Sequence, residues 1–380
     1  MNLNSIGKAF GTTLSAAAIA ALTLSACGSN NNAGTSGSSA SSGSGTATAA
    51  ANCAGKNSLT AEGSTAQQNA VAVFNQVWGQ KCPGKNLSYN PTGSGAGRQQ
   101  FIAKQVDFAG SDSALSGDQV KQAADRCGGN PAWNLPLVFG PVAMAYNLPG
   151  VDKLVVNGDV LAKIYQGQIK KWNDPAIAGL NNGTNLPDTD IKPIYRSDSS
   201  GTTDNFQKYL AAAAPQSWTK GAGSEFQGGA GEGAQKSAGV VQAVQATPGA
   251  IGYVEKGFAQ QAGMPMAWID NGAGPVELAD DTAKKAIDGA KFAGQGNDLA
   301  LDLNSIYGTK DAGAYPLVLA TYEIVCSKGY DAPTADAVKS FLTVSANDGQ
   351  GGLAAAGYVP LPDQFKQRLL TSVSAISSTA

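Results

Sequence analysis

The chain has 380 residues and a formal net charge of −2, and 42% of its residues are hydrophobic and 14% charged. This balance allows a buried core, the length is sufficient for two domains, and the charge argues against a dedicated nucleic-acid binder. The absence of histidine excludes Ser-His-Asp and Cys-His catalysis and every histidine-ligated metal site, so an enzyme would need carboxylates, Lys, Tyr or a cofactor.

The first segment, residues 1–26, is predicted to be a signal peptide. Its apolar, alanine-rich run is too short and too often interrupted by Ser and Thr for a membrane span. The run ends in LSAC, which is the bacterial lipobox pattern and predicts lipidation of Cys27; an ordinary signal peptide with an incidental cysteine is the alternative. Residues 27–52 are rich in Gly, Ser and Thr and predict a flexible linker. We therefore expect an exported protein, lipid-anchored to the outer face of the cytoplasmic membrane.

Four further cysteines remain in the exported part of the chain. An even number in an exported protein favours two disulfides, and four cysteines allow three pairings. The preferred pairing is Cys53 with Cys82, which both precede strands, and Cys127 with Cys326, which lie beside two long apolar strands. Free buried thiols are the alternative. CxxC spacing is absent, so no zinc site is expected.

From residue 57 onward the pattern alternates between strands and helices. Apolar residues at helical spacing predict a helix over residues 65–80. The next unit, 86–105, reads as a strand, a glycine-rich turn and a helix. A strand and loop then precede a helix over 116–127, for which Ser116 is a possible N-cap. This rhythm predicts an α/β fold with a mostly parallel sheet and helices on its faces.

Two long apolar strands, predicted over 134–150 and 314–328, bracket a middle block in which the alternation resumes. This bracketing predicts an inserted domain. Domain I would comprise residues 53–141 and 318–380, and domain II would comprise residues 142–317. Two chain crossings would form a two-strand hinge over a ligand cleft between the lobes. The alternative is one large sheet with long insertions.

The remaining predicted elements fill the middle block and the C-terminus. The segment 160–180 is predicted to be helical with a break. The other predicted elements are a strand over 191–198, helices over 205–218 and 237–248, a strand over 249–255 and the C-terminal helices over 335–347 and 363–376.

Three loops share one pattern, in which a strand end is followed by glycine and hydroxyl residues and then by a helix start. They are EGSTA (62–66), PTGSGAG (91–97) and RSDSSGT (196–202). A helix N-terminus offers unpaired N–H groups and partial positive charge to an anion. One such loop alone is usually an ordinary N-cap. Because strand-end loops gather at one crevice of an α/β sheet, the three together predict a single tetrahedral oxyanion. A P-loop is not expected, since no G-K-[ST] follows the second loop.

Three charged side chains add chemistry to these loops. Arg196 is a permanent cation that can bind an oxyanion through two parallel hydrogen bonds. Asp198 lies two residues further along, on the same face of an extended strand, and could brace Arg196; a surface ion pair is the alternative. Asp112 would favour a ligand that keeps a proton, such as hydrogen phosphate, and would reject sulfate. For Asp112 the alternative is an ordinary helix cap or turn residue.

With these residues in view, the sequence resembles the phosphate-binding protein of the bacterial phosphate-specific ABC transporter. The resemblance covers residues 57–370 and rests on motifs in family order: a Gly-Ser-Thr turn, TGSGAG, VDFAGSDSAL, PVAMAYNLPGV, IYQGQIKKWNDPAI, YRSDSSGTTDNF and TPGAIGYVE. It implies the two-domain periplasmic-binding-protein fold of type II-like form, with a two-strand hinge. It also implies that the phosphate contacts are Thr65, the backbone of Ala66, Ser94, Asp112, Arg196, Ser200, Gly201 and Thr202.

Several residues in or near these motifs depart from the family pattern. Ala66 stands where a bulkier residue is often found, although the implied contact is through its backbone N–H. Ser199 stands where glycine is common, and Ala114 where proline is common. Asp204 adds an acid close to the third loop. The family resemblance implies that Asp198 pairs with the binding arginine.

The resulting prediction is an extracytoplasmic receptor that closes around inorganic phosphate and delivers it to the transmembrane permease subunits of an ABC importer. It is not expected to be an enzyme or to use a cofactor or metal. Two alternatives stay open: a receptor for another oxyanion such as sulfate, and an exported phosphoester hydrolase. The hydrolase would need a metal or a nucleophile near the site, but the sequence has no histidine and Ser200 has no obvious base beside it.

Overall fold

The computed structural model describes residues 52–379, and the predicted signal peptide, Cys27 and nearly all of the linker lie outside the described residues. The strands, in chain order, are β1 Ser58–Gly63, β2 Asn86–Pro91, β3 Phe108–Ser111, β4 Ala132–Tyr146, β5 Val155–Asn157, β6 Lys192–Arg196, β7 Glu232–Ala234, β8 Ala250–Glu255, β9 Trp268–Asp270, β10 Pro275–Val276, β11 Lys291–Phe292, β12 Leu301–Asp302, β13 Val318–Cys326, β14 Lys328–Tyr330 and β15 Ser377–Ser378.

The helices alternate with the strands along the chain, and several of them pack against the main sheet. They are α1 Gln68–Lys81, α2 Ser94–Ile102, α3 Asp118–Arg126, α4 Gly158–Tyr165, α5 Pro175–Ala178, α6 Gly201–Ala213, α7 Lys236–Ala246, α8 Lys256–Gln261, α9 Asp280–Ile287, α10 Asn304–Tyr307, α11 Ala332–Asn347 and α12 Asp363–Ala375. Two short 3-10 turns, Gln350–Gly352 and Ala354–Ala356, lie between α11 and α12.

One eight-stranded sheet organises the described chain, in the order β2-β1-β3-β13-β4-β8-β6-β7. Strands β1, β2 and β3 pair in parallel at one end, and β6, β7 and β8 pair in parallel at the other. Between these groups, β3, β13, β4 and β8 pair in antiparallel fashion. The predicted parallel pairing is therefore found among the strands at each end of the sheet. The strands in the centre of the sheet are antiparallel, because the chain crosses there twice between the two ends.

Strand β4 connects the two ends of the sheet. Its residues 132–141 pair with β13, and its residues 142–146 pair with β8. The change of partner falls at the predicted crossing, next to Val318 at the start of β13. We call the half that carries β1–β3 lobe I and the half that carries β6–β8 lobe II. The chain thus has the predicted two-lobed α/β fold, while the domain boundaries stay a prediction.

Some local expectations differ from the structure. Ser116 is not the N-cap of α3, because that helix begins at Asp118 after Gly117, which has a φ of +54° that favours glycine. The break predicted within the helical segment 160–180 is present, but it is long, so that only two short helices, α4 and α5, remain. Helix α6 begins at Gly201, four residues earlier than predicted, because Ser200 caps it.

Both preferred disulfides are present. Cys53 is bonded to Cys82, and Cys127 is bonded to Cys326, with Cα–Cα distances of 5.4 Å in each. The second bond joins the end of α3 to the end of β13, so it ties the first part of lobe I to the strand that returns from lobe II. Within residues 52–379, the structure contains no helix with the length and hydrophobicity that a membrane span requires.

Candidate functional site

The three predicted loops meet at Asp112, which follows β3. Asp112 Oδ1 accepts a hydrogen bond from Ser64 Oγ (2.6 Å) in the first loop, and Oδ2 accepts one from Ser94 Oγ (3.0 Å) in the second. Gly201 of the third loop packs so closely that a Cβ there would lie 2.5 Å from Ser94 Oγ and 2.6 Å from Asp112 Oδ2. Glycine is therefore required where α6 begins, and lobe II touches the acid of lobe I.

The environment of Asp112 raises its pKa to about 6. Burial is the main cause, since the side chain is removed from water, and the nearby charge of Glu255 adds to the rise. Hydrogen bonds from Ser64, Ser94 and Thr321 Oγ1 (2.7 Å) oppose it. The carboxylate is thus ionised near neutral pH and protonated in mild acid, and its donors hold it in one orientation.

Arg196 ends β6 and is buried, with 2% of its surface exposed. Its Nε donates to Asp198 Oδ1 at 2.8 Å, and its Nη2 donates to Asp198 Oδ2. Burial lowers the pKa of Arg196, but the hydrogen bonds and charge of Asp198 outweigh this and hold that pKa above its ordinary value. Arg196 and Asp198 are therefore in contact, as the sequence predicts, and the burial of Arg196 excludes a surface ion pair. The third nitrogen, Nη1, lies 3.5 Å from Ser237 Oγ.

The N-terminus of α6 supplies the other elements of the third loop. Ser200 is the N-cap, and its Oγ accepts from the backbone N–H of Thr203 at 3.2 Å. Thr202 is buried, and its hydroxyl donates to Glu255 Oε1 at 2.6 Å. The backbone N–H groups of the first turn carry the partial positive charge of the helix end. This end points to the same region as Asp112, through the close approach of Gly201.

The first loop faces lobe II through Thr65. The hydroxyls of Thr65 and Ser237 lie 2.8 Å apart, and Ser237 Oγ also accepts a hydrogen bond from Arg196 Nη1. The backbone N–H of Ala66 donates to Ser64 Oγ at 3.0 Å. Ser64 therefore links this loop to Asp112, which places Thr65 and Ala66 at the same centre.

Further hydrogen bonds connect the two lobes around this centre, and we call them cross-cleft bonds. The backbone N–H of Gly95 donates to the carbonyl of Ser199 at 3.1 Å. Ser113 Oγ donates to Asp204 Oδ2 at 2.5 Å, and Asp204 also pairs with Lys208. Ser199 and Asp204, both departures from the family pattern, thus lie at the contact between the lobes, and Asp204 is occupied by its partners.

Sequence reasoning missed several residues at this centre. Glu255 ends β8, is 1% exposed, and its Oε2 finds no hydrogen-bond partner in the described part of the chain. Its position at the carboxyl end of a strand was a usable signal. Thr321 and Glu323 are polar residues in the otherwise apolar strand β13, which was a second signal. Ser237 at the start of α7 resembles an ordinary helix start and gave no signal.

Glu323 differs from the other acids because no donor reaches it. Both of its carboxyl oxygens lack a hydrogen-bond partner within residues 52–379. Burial raises the pKa of Glu323 to about 8, and the nearby Gln67 side chain opposes the rise. The side chain is therefore mostly neutral at pH 7. Over the same residues, no three acidic or cysteine side chains are grouped so that they could hold a metal ion.

The chain is similar in sequence to known phosphate-binding proteins. The PBP superfamily domain matches residues 16–348. The phosphate-binding protein PstS 3 of Mycobacterium tuberculosis is 50% identical over 99% of this chain and 100% of its own length. The phosphate-binding protein PstS of Pasteurella multocida is 31% identical, over 82% of this chain and 88% of its own length.

Solved structures share the fold at lower identity. A high-affinity periplasmic phosphate-binding protein, PfluDING, solved with bound phosphate, aligns with a TM-score of 0.66 and 22% identity, covering 83% of this chain and 93% of its own. A phosphate-binding protein from Stenotrophomonas maltophilia aligns with a TM-score of 0.65 and 19% identity, covering 83% of this chain and 94% of its own. At these identities the likeness supports the two-lobed fold.

Proposed function

Because the chain belongs to the PBP superfamily and, within it, to the PstS phosphate-binding proteins, we propose that it binds inorganic phosphate outside the cytoplasm and delivers it to the permease of an ABC importer. It is a transport receptor and not an enzyme. The hinge at β4 and β13 allows the lobes to close around the anion, and closure is driven by ligand contacts to both lobes.

One observation carries this proposal. A buried arginine, already paired with Asp198, lies in the same cleft as a helix N-terminus and a buried acid, Asp112. The arginine and the helix end attract an anion, whereas the acid needs a proton from the ligand. Hydrogen phosphate meets both demands near neutral pH, and sulfate offers no proton.

The residues that would hold the anion come from both lobes. Lobe II would supply Arg196 and the first turn of α6, and lobe I would supply the first two loops and Asp112. The full proposed set is Thr65, the backbone of Ala66, Ser94, Asp112, Arg196, Ser200, Gly201 and Thr202. Its charge neutralisation is incomplete, because Asp198 already offsets Arg196, and neutral N–H and O–H donors would make up the difference. This arrangement favours selectivity and release.

Calorimetric titration of the purified protein with phosphate and with sulfate tests the proposal. We expect saturable 1:1 binding of phosphate and binding of sulfate weaker by a factor of about 10⁴ or more, as for other sites that recognise a ligand hydroxyl. Sulfate binding as tight as phosphate binding would contradict the role given to Asp112. Absence of phosphate binding would contradict the function itself.

The N-terminal segment fits this function. We propose that residues 1–26 direct export and that Cys27 is lipidated, so that the linker tethers the receptor to the outer face of the membrane near the permease. Mass spectrometry of the membrane-associated protein is expected to find a diacylglyceryl modification on Cys27. Release of the Cys27→Ala variant into the medium or periplasm would support the anchor, and unchanged membrane association of that variant would contradict it.

A further inference from the structure

A second buried arginine lies beside the proposed site. Arg98 is on α2 in lobe I and is 7% exposed. Its Nη1 donates to Ser111 Oγ at 2.8 Å, and its Nε donates to Gln119 Oε1 at 3.1 Å, both within lobe I. Its Nη2 donates to Ser224 Oγ at 3.0 Å. Ser224 lies on the loop between α6 and β7, so this third bond crosses the cleft.

The charge of Arg98 has no direct counter-ion. Its three acceptors are neutral, and no salt bridge joins it to an acid in the part of the chain that the structure describes. Burial lowers the pKa of Arg98, and the more distant charges of Asp204 and Asp112 oppose this. A buried cation without a paired acid is costly. A contact that helps to hold the lobes together would explain why the chain carries it.

Ser224 is firmly connected to the helix that would bind phosphate. Its carbonyl accepts the backbone N–H of Ser200, the N-cap of α6, at 2.9 Å. The side chain of Gln207 in α6 donates to the carbonyls of Gly223 and Glu225, at 2.8 and 3.0 Å. The loop is thus held to α6 on both sides of Ser224. A hydrogen bond to the Ser224 hydroxyl therefore also restrains the N-terminus of α6.

We propose that Arg98 is a positioning residue that latches α6 to lobe I through Ser224 and thereby slows the release of bound phosphate. The inference rests on the proposed function. The latch exists only when the lobes are together, because Arg98 and Ser224 belong to different lobes. Its loss therefore acts on dissociation, which requires opening, more than on association.

The expected effect follows from one hydrogen bond with a charged donor. Loss of the bond in Ser224→Ala is expected to accelerate phosphate dissociation about 10- to 150-fold. The association rate constant is expected to change less than about threefold, since most differences between related complexes arise in dissociation. A merely structural defect would lower thermal stability and the active fraction without this separation of the two rate constants.

The test measures dissociation of radiolabelled inorganic phosphate after addition of excess unlabelled phosphate, together with the equilibrium affinity. The variants are Ser224→Ala, Arg98→Ala and the double variant. Gln119→Ala is the matched control, since it removes a bond to the same guanidinium within lobe I and leaves the cross-cleft bond intact. We expect wild-type dissociation in the control and no further acceleration when Arg98→Ala is added to Ser224→Ala.

The results of these measurements distinguish failure of the proposed Arg98–Ser224 contact from failure of the proposed function. Wild-type dissociation in Ser224→Ala, or fully additive effects of the two substitutions, would overturn the latch. Ser224→Ala alone decides the matter if Arg98→Ala does not fold, because Ser224 is a partly exposed loop residue. If the unmodified protein does not bind phosphate, the proposed function fails. If it binds and Ser224→Ala releases at the normal rate, only the latch fails.

Discussion

Replacing Asp112 by Asn tests the proposed recognition of a ligand proton. In the structure, Oδ1 accepts from Ser64 and Thr321, and Oδ2 accepts from Ser94. The carbonyl oxygen of Asn can accept the two hydrogen bonds from Ser64 and Thr321 that Oδ1 accepts in the unmodified protein. In this orientation, Nδ2 takes the place of Oδ2. The position that would accept the phosphate proton becomes a donor and loses its charge. The size of the side chain is unchanged, so the perturbation is chemical.

The magnitude follows from the bond that is lost. A hydrogen bond to a charged group contributes about 1.5–3 kcal/mol, so the Kd for phosphate is expected to rise about 10- to 150-fold. Sulfate, which meets a repelling acceptor in the unmodified protein, would meet a donor. The affinity of the variant for sulfate is expected to rise. The ratio of phosphate affinity to sulfate affinity is therefore expected to fall by a larger factor than the phosphate affinity alone.

Calorimetry with both anions near neutral pH measures this preference, because the pKa of about 6 leaves Asp112 largely ionised there. Glu323→Gln is the matched control: it makes the same acid-to-amide replacement at a fully buried side chain, but at one that is already mostly neutral at pH 7 and has no bond to any proposed phosphate contact. In this control, the ratio of phosphate affinity to sulfate affinity is expected to equal that of the unmodified protein. If Asp112→Asn rejects sulfate as strongly as before, the reasoning is refuted.

Three other outcomes are expected. Sulfate should compete better as the pH falls through about 6, because protonated Asp112 becomes a donor; a constant ratio of the two affinities from mild acid to mild base would contradict this. Gly95→Ala should weaken phosphate binding about tenfold with little change in melting temperature. The reason is that the new Cβ would lie 2.1 Å from Ser199 Oγ and 2.5 Å from Ser199 Cβ across the cleft. Calorimetry measures the affinity, and thermal unfolding measures the melting temperature. The raised pKa of Glu323, about 8 against about 4.3 when unfolded, contributes stability that is complete below about pH 4 and lost as the pH rises through 8. Melting curves of Glu323→Gln should therefore lack this loss, and parallel pH profiles would disprove it.

Much of the site could be predicted from the sequence because its signals are local. Glycine and hydroxyl residues at a strand end mark a turn and a helix start, whatever the rest of the chain does. Arg196 and Asp198 are two residues apart on an extended segment, so their contact follows from strand geometry. The two long apolar strands, one near each end of the middle block, likewise indicated the crossings at β4 and β13.

The contacts between side chains far apart in the sequence could not be predicted from it. Thr321 is 209 positions from Asp112, and Ser237 is 172 positions from Thr65. Arg98 and Ser224 are 126 positions apart. Such contacts depend on the order of strands in the sheet and on the meeting of the two lobes, which no local pattern encodes. Local patterns were enough to predict the turns, the contact of Arg196 with Asp198 and the crossings, whereas the packing of the two lobes selects the hydroxyls that hold Asp112 and the arginine that spans the cleft.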